Sequence, residues 1–361
     1  TGDHWFGSLT INSGGTYNAT RGVTTITNES SVGRSAYNNG GTFTTNSGIL
    51  NITTPATTDV RGFSPYDLEI SSGNIVTWQG PSGDFTVSND LTVTSGTFVP
   101  KSNGYKLTVT GDVDVTGTLG QVGWLDSGIF GSLTINSGGI YYATSGTTTI
   151  TSKTVSGFGI TLASGLASLI QHNNGLFNMT GSDYQAIYLG TSTATDGIYN
   201  LEIAKSAQPA TWVGTTVIYN DLTIDAGLFK AESNTHTLTV IGDVDVTGTL
   251  GEGDETGALT FGSLTINSGG TYDATSGTTT ITSESGSGFA IKNLGTFTHN
   301  NGLVNISYGD STGIDLDENS LYDLTTDVTM LYSYDNPLTI DNDLTVTGGV
   351  FGAVTDSARP M

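Results

Sequence analysis

The sequence contains no cysteine, only 7 prolines among 361 residues, and only 10 basic residues. Without cysteine, disulfide bonds and metal sites built from thiolates are excluded. The 33 acidic residues give a formal net charge of −23, which repels the phosphates of nucleic acids and anionic membrane surfaces. No stretch reaches the roughly 18 consecutive apolar residues that a membrane-spanning helix requires. We therefore expect neither a nucleic-acid partner nor a membrane span.

Apolar residues are present throughout the chain, and they alternate with Thr and Asp. In Leu107–Thr110 and in Val113–Thr116 every second residue is Leu or Val. This period of two places the apolar side chains on one face of a strand and the polar side chains on the other. Because Thr is branched at Cβ, it suits the solvent face of a pleated strand. The pattern predicts an ordered, all-β protein.

The chain repeats itself nearly three times, and such a repeat indicates a repetitive architecture. The ten residues F-G-S-L-T-I-N-S-G-G begin at Phe6, Phe130 and Phe261. Two further motifs keep the same order: N-D-L-T-V or N-D-L-T-I begins at Asn89, Asn220 and Asn342, and G-D-V-D-V-T-G-T-L-G begins at Gly111 and Gly242. We divide the chain into repeats over residues 1–129, 130–260 and 261–361, the last of them truncated.

Two architectures are compatible with this repeat: a parallel β-solenoid, and three tandem β-sandwich domains. The solenoid is favoured because a shorter motif recurs within one repeat, where Leu9–Gly14 resembles Leu91–Gly96. No proline-rich or charged linker separates the repeats, and the last repeat stops within its unit. At 20–30 residues a coil, we expect one continuous rod of roughly 16 coils. Corners rich in Gly and Asn, such as Asn173–Gly175 and Asn300–Gly302, are predicted to need positive φ.

Seven acidic residues are candidate calcium ligands, because clustered carboxylates are the hard oxygen donors that Ca²⁺ prefers. Asp112 and Asp114 share a strand face, as do Asp243 and Asp245, and a denser group lies at Asp315, Asp317 and Glu318. Their spacing matches neither an EF-hand loop nor the glycine-rich calcium repeat. The alternative is a solvated acidic face that keeps the surface soluble. Apart from Ca²⁺, the sequence implies no cofactor.

The same carboxylate pairs are also compatible with the acid and nucleophile of a glycosidase. However, they recur at equivalent places, whereas an active site is usually built once. The basic residues that a polyuronate lyase needs are few and scattered. We therefore predict that the protein is not an enzyme.

Histidine and tryptophan offer weaker candidates for a site. His172 and His299 occupy equivalent corners far apart in the sequence, which favours surface positions over a shared metal. Trp78 and Trp212 fall in related contexts, and exposed aromatic rings can stack on sugars. Interior packing is the more frequent position of tryptophan and is the interpretation that we favour.

The run L-T-I-N-S-G-G-T-Y-x-A-T-S-G-T-T-T-I-T is intact from Leu264 to Thr282 and nearly so from Leu9 and Leu133. It resembles the repetitive β-helix surface proteins of bacteria and archaea, and similar repeats in phage tail fibres. The resemblance covers most of the chain but carries no catalytic motif. It implies a right-handed parallel β-helix, export from the cell, and a role in adhesion or fibre building.

These observations predict a non-catalytic extracellular or cell-surface protein that forms or extends a filament or adhesin stalk. The expected partners are copies of itself, end to end or side by side, and surface glycans. The alternative is a β-helix that binds or cleaves carbohydrate, such as a phage receptor-binding fibre.

Because the chain begins at Thr1 without a signal segment, we interpret it as a processed or excised part of a longer precursor.

Overall fold

The computed structural model describes residues 2–31, 33–79, 84–100, 106–123, 127–163, 169–190, 197–334 and 338–353. Within these ranges the chain is all-β without a helix, and its coils stack as a parallel β-solenoid of about 15 turns. The predicted fold class is confirmed, and the count lies close to the expected 16. No described segment is a helix that could cross a membrane. The handedness of the coil stays a prediction.

The chain separates into two compact units. The N-terminal unit comprises Thr1–Phe177 with Thr195–Gly197, and the C-terminal unit comprises Asn178–Ala194 with Ile198–Met361. The three repeats are a division of the sequence, and their status as structural blocks stays a prediction. The strand β19 (Leu176–Met179) lies at the point in the chain where the two units divide.

Most strands of the N-terminal unit are short, and many of them have alternating burial. They are β1 (His4–Phe6), β2 (Leu9–Asn12), β3 (Thr16–Asn18), β4 (Val23–Ile26), β5 (Arg34–Asn39), β6 (Thr42–Thr44), β7 (Ile49–Ile52), β8 (Thr58–Arg61), β9 (Asp67–Gln79), β10 (Phe85–Val87), β11 (Leu91–Pro100), β12 (Leu107–Val115), β13 (Thr118–Leu119), β14 (Gly128–Ile135), β15 (Ile140–Tyr142), β16 (Thr147–Ile150), β17 (Phe158–Leu162) and β18 (Leu169–Gln171).

The C-terminal unit is built in the same way. Its strands are β20 (Gln185–Tyr188), β21 (Asn200–Ala204), β22 (Ala210–Val213), β23 (Thr215–Ile218), β24 (Leu222–Ala226), β25 (Leu228–Ala231), β26 (Thr237–Val246), β27 (Thr249–Leu250), β28 (Leu259–Ile266), β29 (Thr271–Asp273), β30 (Thr278–Ile281), β31 (Phe289–Asn293), β32 (Thr296–Thr298), β33 (Leu303–Ile306), β34 (Ser311–Asp315), β35 (Ser320–Leu321), β36 (Asp323–Thr326), β37 (Met330–Ser333), β38 (Thr339–Ile340), β39 (Leu344–Val346) and β40 (Val350–Ala353).

Parallel pairing from coil to coil stacks apolar side chains into buried columns. In the N-terminal unit, Leu91 pairs with Val113, Val113 with Leu133, and Leu133 with Ile160, and all four are completely buried. Each coil in this column takes roughly 20–27 residues. Burying such a side chain contributes about 1.5–3 kcal/mol relative to leaving it exposed. The interior is therefore made by the Leu and Val positions of the period-two pattern.

The C-terminal unit contains the equivalent column from the next repeat. Leu222 pairs with Val244, Val244 with Leu264, and Leu264 with Ile291, again with complete burial. Equivalent motifs therefore occupy equivalent places within each unit.

The corners confirm the predicted positive φ and show what the neighbouring glycine does. Asn173 and Asn174 have φ of 44° and 58°, and Asn300 and Asn301 have φ of 47° and 61°. The glycine that follows is not the residue in the left-handed region. Instead, a Cβ at Gly302 would lie 2.1 Å from the carbonyl oxygen of Thr275, so glycine is required for close approach.

The first residue of each such corner also holds two coils together. The Nδ2 atoms of Asn46, Asn173 and Asn300 donate to the carbonyl oxygens of Ala19, Ala143 and Ala274, at 2.8, 2.7 and 2.8 Å. Each alanine belongs to the coil before the corner. We call these three contacts the asparagine clamps, and they explain why the corner is Asn in every repeat.

The glycine of the F-G-S-L motif allows a prediction with an internal control. A Cβ at Gly131 would lie 2.4 Å from the Gly111 carbonyl oxygen and 2.7 Å from that of Thr110. We expect Gly131→Ala to lower the free energy of unfolding by about 1–3 kcal/mol, because one coil would have to move away from the next. The measurement is equilibrium denaturation followed by circular dichroism.

The control is Gly7→Ala, at the equivalent position of the first copy. A Cβ at Gly7 would meet nothing within 4 Å, so we expect a change below about 0.5 kcal/mol. Equal effects of the two substitutions would contradict the close-approach explanation.

Candidate functional site

The best candidate from the sequence, the repeated aspartates, forms a column of carboxylates linked from coil to coil. In the N-terminal unit, Oδ1 of Asp67 accepts from the Asp90 amide at 3.1 Å, and Oδ1 of Asp90 accepts from the Asp112 amide at 2.8 Å. Oδ1 of Asp112 in turn accepts from the Ser132 hydroxyl at 2.7 Å. We call Asp67, Asp90, Asp112 and Ser132 the aspartate ladder.

The C-terminal unit repeats the aspartate ladder with asparagine in the first place. Oδ1 of Asn200 accepts from the Asp221 amide at 3.3 Å, and Oδ1 of Asp221 accepts from the Asp243 amide at 2.9 Å. Oδ1 of Asp243 then accepts from the Ser263 hydroxyl at 2.7 Å. The ladder is therefore a property of the repeat.

The ladder explains a further motif, the glycine that precedes Asp112 and Asp243. A Cβ at Gly111 would lie 2.2 Å from Oδ1 of Asp90, and one at Gly242 would lie 2.3 Å from Oδ1 of Asp221. Only glycine leaves room for the carboxylate of the preceding coil. The G-D pair is thus one structural unit.

Burial disfavours the ionisation of three aspartates in or beside these columns, namely Asp90, Asp114 and Asp245. Burial raises the pKa of Asp90, the bond from the Asp112 amide opposes the rise, and the charges of Asp67 and Asp112 add to it. Burial likewise raises the pKa of Asp114, which accepts a hydrogen bond from Asn136. For Asp245, burial is the first cause of a raised pKa, followed by the charges of Asp243 and Asp221.

The third group of predicted ligands lies at a corner. Asp315 ends β34, and Asp317 and Glu318 have φ of 47° and 68°, the left-handed pair that makes the turn. Asn319 fastens this turn, with Nδ2 donating to the Leu316 carbonyl oxygen at 2.9 Å. The acidic residues here form part of a tight turn.

Among the residues that the structure describes, no three or more His, Asp or Glu side chains are grouped so that they could hold a metal ion. In the aspartate ladder, one oxygen of Asp112 and one of Asp243 already accept protein hydrogen bonds. Calcium binding by Asp112, Asp114, Asp243, Asp245, Asp315, Asp317 and Glu318 stays a prediction.

The histidines and tryptophans have the positions that we favoured. His172 and His299 are at corners, where Nδ1 accepts from the amide two residues later at 3.1 and 3.0 Å. Trp78 and Trp212 are 2% and 0% exposed, with Trp78 stacked on Phe85 and Trp212 edge-to-face with Phe229. Neither indole ring is available to a sugar.

Two buried ionisable side chains were not predicted from the sequence. Nζ of Lys205 donates to the carbonyl oxygens of Thr180 and Asp183 at 3.1 and 2.6 Å and to Oε1 of Gln185 at 2.7 Å. Burial lowers the pKa of Lys205 to about 8, although the charge of Asp183 opposes this. The second is Glu255, whose burial raises its pKa to about 7.

The signal that could have found these two residues is departure from the repeat. Lys205 stands where the first copy has Ser72, and Glu255, in the segment G-E-G-D-E-T-G, stands where the first copy has Trp124. A charged residue at a position that is uncharged in another copy marks a local change in bonding.

Comparison of the chain with known protein families, with curated proteins and with solved structures finds no match.

The aspartate ladder predicts opposite effects for two substitutions of one residue. Asp90→Ala removes the acceptor of the Asp112 amide, and we expect the free energy of unfolding to fall by about 1–3 kcal/mol. Asp90→Asn keeps an acceptor oxygen and removes a charge, so we expect stability at pH 7 at or above that of the unmodified protein. Equilibrium denaturation measures both.

The sign of the pH dependence follows from the raised pKa of Asp90. The folded protein holds this proton more tightly than the unfolded chain, so stability falls as the pH rises through the pKa of the carboxyl group. Any advantage of Asp90→Asn should therefore disappear in acid. Asp343, the exposed equivalent in the third copy, supplies the control Asp343→Ala, with little expected change. Equal destabilisation by Asp90→Asn and Asp90→Ala would contradict the ladder.

Proposed function

We propose that this chain is a non-catalytic structural protein of the extracellular space or cell surface, which forms or extends a filament or adhesin stalk. One observation carries the proposal: the repeated polar side chains bond the coils to each other. The aspartate ladder and the asparagine clamps supply these bonds, and the close-approach glycines allow the coils to lie near enough to form them. Repetition of this kind supports a structural role.

The alternative, a β-helix that binds or cleaves carbohydrate, receives less support. Trp78 and Trp212, the aromatic residues that favoured it, are buried. The paired carboxylates recur in both units, with equivalent bonds to the next coil. A catalytic pair needs a carboxyl group poised for proton transfer, and it is usually built once.

Association between copies is supported by uncovered apolar side chains in the C-terminal unit. Leu344 and Val346 in β39 are 44% and 43% exposed, whereas the equivalent Leu222 and Ile224 are completely buried. Exposed strands that are already shaped for parallel pairing accept a further strand readily. We propose that a further coil of the repeat covers this surface, and that in an end-to-end association a second copy supplies that coil.

Substituting the uncovered surface tests this association. We expect Val346→Lys to abolish self-association, because it places a charge in the contact. The matched control Thr345→Lys lies beside it on the same strand, on the polar side of the period-two pattern, and should associate like the unmodified protein. Analytical ultracentrifugation and electron microscopy measure the outcome. Monomers of the unmodified protein at all concentrations would contradict the proposal.

Calcium is tested in the same samples. If the predicted ligands bind Ca²⁺, filaments formed in calcium should disassemble in a chelator, and replacement of Asp315, Asp317 and Glu318 by their amides should weaken the calcium effect. Filaments that are indifferent to both treatments would show that the acidic residues are structural. Cleavage of a polysaccharide by the purified protein would instead favour the carbohydrate alternative.

A further inference from the structure

The segment Gly251–Gly257, which we call the acidic loop, connects β27 to β28 in the C-terminal unit. Its sequence, G-E-G-D-E-T-G, differs from the segment at the same place in the first copy, G-Q-V-G-W-L-D, and Glu255 stands where that copy has Trp124. The loop therefore carries a feature that the regular stacking of coils does not require.

Glu255 is the buried residue of this loop, with 3% of its surface exposed. Its Oε1 accepts from the Ala231 amide at 2.8 Å. Its Oε2 is buried and has no hydrogen-bond partner among the described residues. An ionised carboxylate with an unpaired buried oxygen is costly, whereas a neutral carboxyl group is much less so.

The backbone of Glu255 ties the same residue to the following coil. Its carbonyl oxygen accepts from the Ser276 amide at 2.8 Å and from the hydroxyls of Thr275 and Ser276 at 3.0 Å each. The side chain meets the preceding coil at Ala231, so Glu255 connects both neighbours of the acidic loop.

The other acidic residues nearby have partners of their own. Glu252 pairs with Lys230, Oδ2 of Asp254 accepts from Asn234 at 3.3 Å, and Oδ1 of Asp273 accepts from Asn300 at 2.7 Å. The titratable groups whose charges act on Glu255 are Glu252 and Asp254 from the acidic loop and Asp273 from β29, and the charge of Glu255 in turn acts on Tyr272 of β29. Lys230 of β25 lies beside Ala231 in the sequence and pairs with Glu252.

These surroundings favour the protonated state. Burial raises the pKa of Glu255 to about 7, against the lowering effect of the Ala231 amide, and the charges of Asp254, Glu252 and Asp273 raise it further. Since the ordinary pKa of this carboxyl group is 4.5, the folded protein binds the proton more tightly than the unfolded chain. Stability from Glu255 is therefore full below pH 4.5 and is lost as the pH rises through 7.

We propose that Glu255 is a pH-operated latch: as a neutral carboxyl group it holds the acidic loop against both neighbouring coils, and as a carboxylate it releases the loop. The inference is independent of the proposed structural role, since it concerns one loop of one unit. It would make this part of the protein tighter in mildly acidic surroundings and looser in alkaline ones.

Hydrogen exchange read by mass spectrometry tests the latch at pH 5 and pH 8, after correction for the intrinsic pH dependence of exchange. In the unmodified protein we expect protection of the acidic loop and β25 to fall on the order of 50-fold between these pH values. Glu255→Gln should remove most of this fall, because the amide stays neutral. The control Glu252→Gln, which changes an exposed acid of the same loop, should retain it.

Each outcome decides the matter. Equal protection at both pH values in the unmodified protein, or an equal fall in the Glu255→Gln variant, would overturn the latch. If that variant does not fold, the unmodified protein still tests the idea, because the loss must be confined to the acidic loop, β25 and β29 and must spare β12. Recovery of protection at pH 8 on adding Ca²⁺ would overturn the latch in favour of a cation site.

Discussion

Every feature of this protein depends on the spacing of about 4.8 Å between parallel strands in successive coils. At that spacing each side chain contacts the side chain at the equivalent position of the next coil. Apolar residues gain from this arrangement, as in the column from Leu91 to Ile160, where each side chain covers the next. Charged residues are destabilised by the same arrangement, because it brings like charges close together.

The chain stacks acidic residues nonetheless, and each carboxylate of the aspartate ladder accepts a hydrogen bond from a donor in the following coil. The carboxylate of Asp90 accepts a hydrogen bond from the Asp112 amide, and that of Asp112 accepts one from the Ser132 hydroxyl. Gly111 has no Cβ, and this leaves room for the carboxylate of Asp90. Residues whose spacing along the chain suggests metal binding or catalysis thus also make hydrogen bonds between coils.

Two residues that differ between copies of the repeat, Lys205 and Glu255, are buried and ionisable. Ser72 of the first copy donates one bond to the Thr54 carbonyl oxygen, whereas its counterpart Lys205 gathers three oxygen atoms around an ammonium group. Glu255 is likewise a buried ionisable residue, at a position where the sequence of the first copy has Trp124. In a repetitive fold, such singular residues are where regulation or specificity can be added without disturbing the stack.

The sequence by itself determined the all-β class, the solenoid, the buried face of each strand and the corners, because the period of two and the recurrence of Gly and Asn are local properties. It also predicted the interior positions of Trp78 and Trp212. Only the tertiary structure decided which residues meet across coils: the aspartate ladder, the asparagine clamps, the close approach at Gly131 and the unpaired oxygen of Glu255. The physical reason is that the register between coils depends on loops of unequal length, and a shift of one residue reverses the face on which every side chain lies.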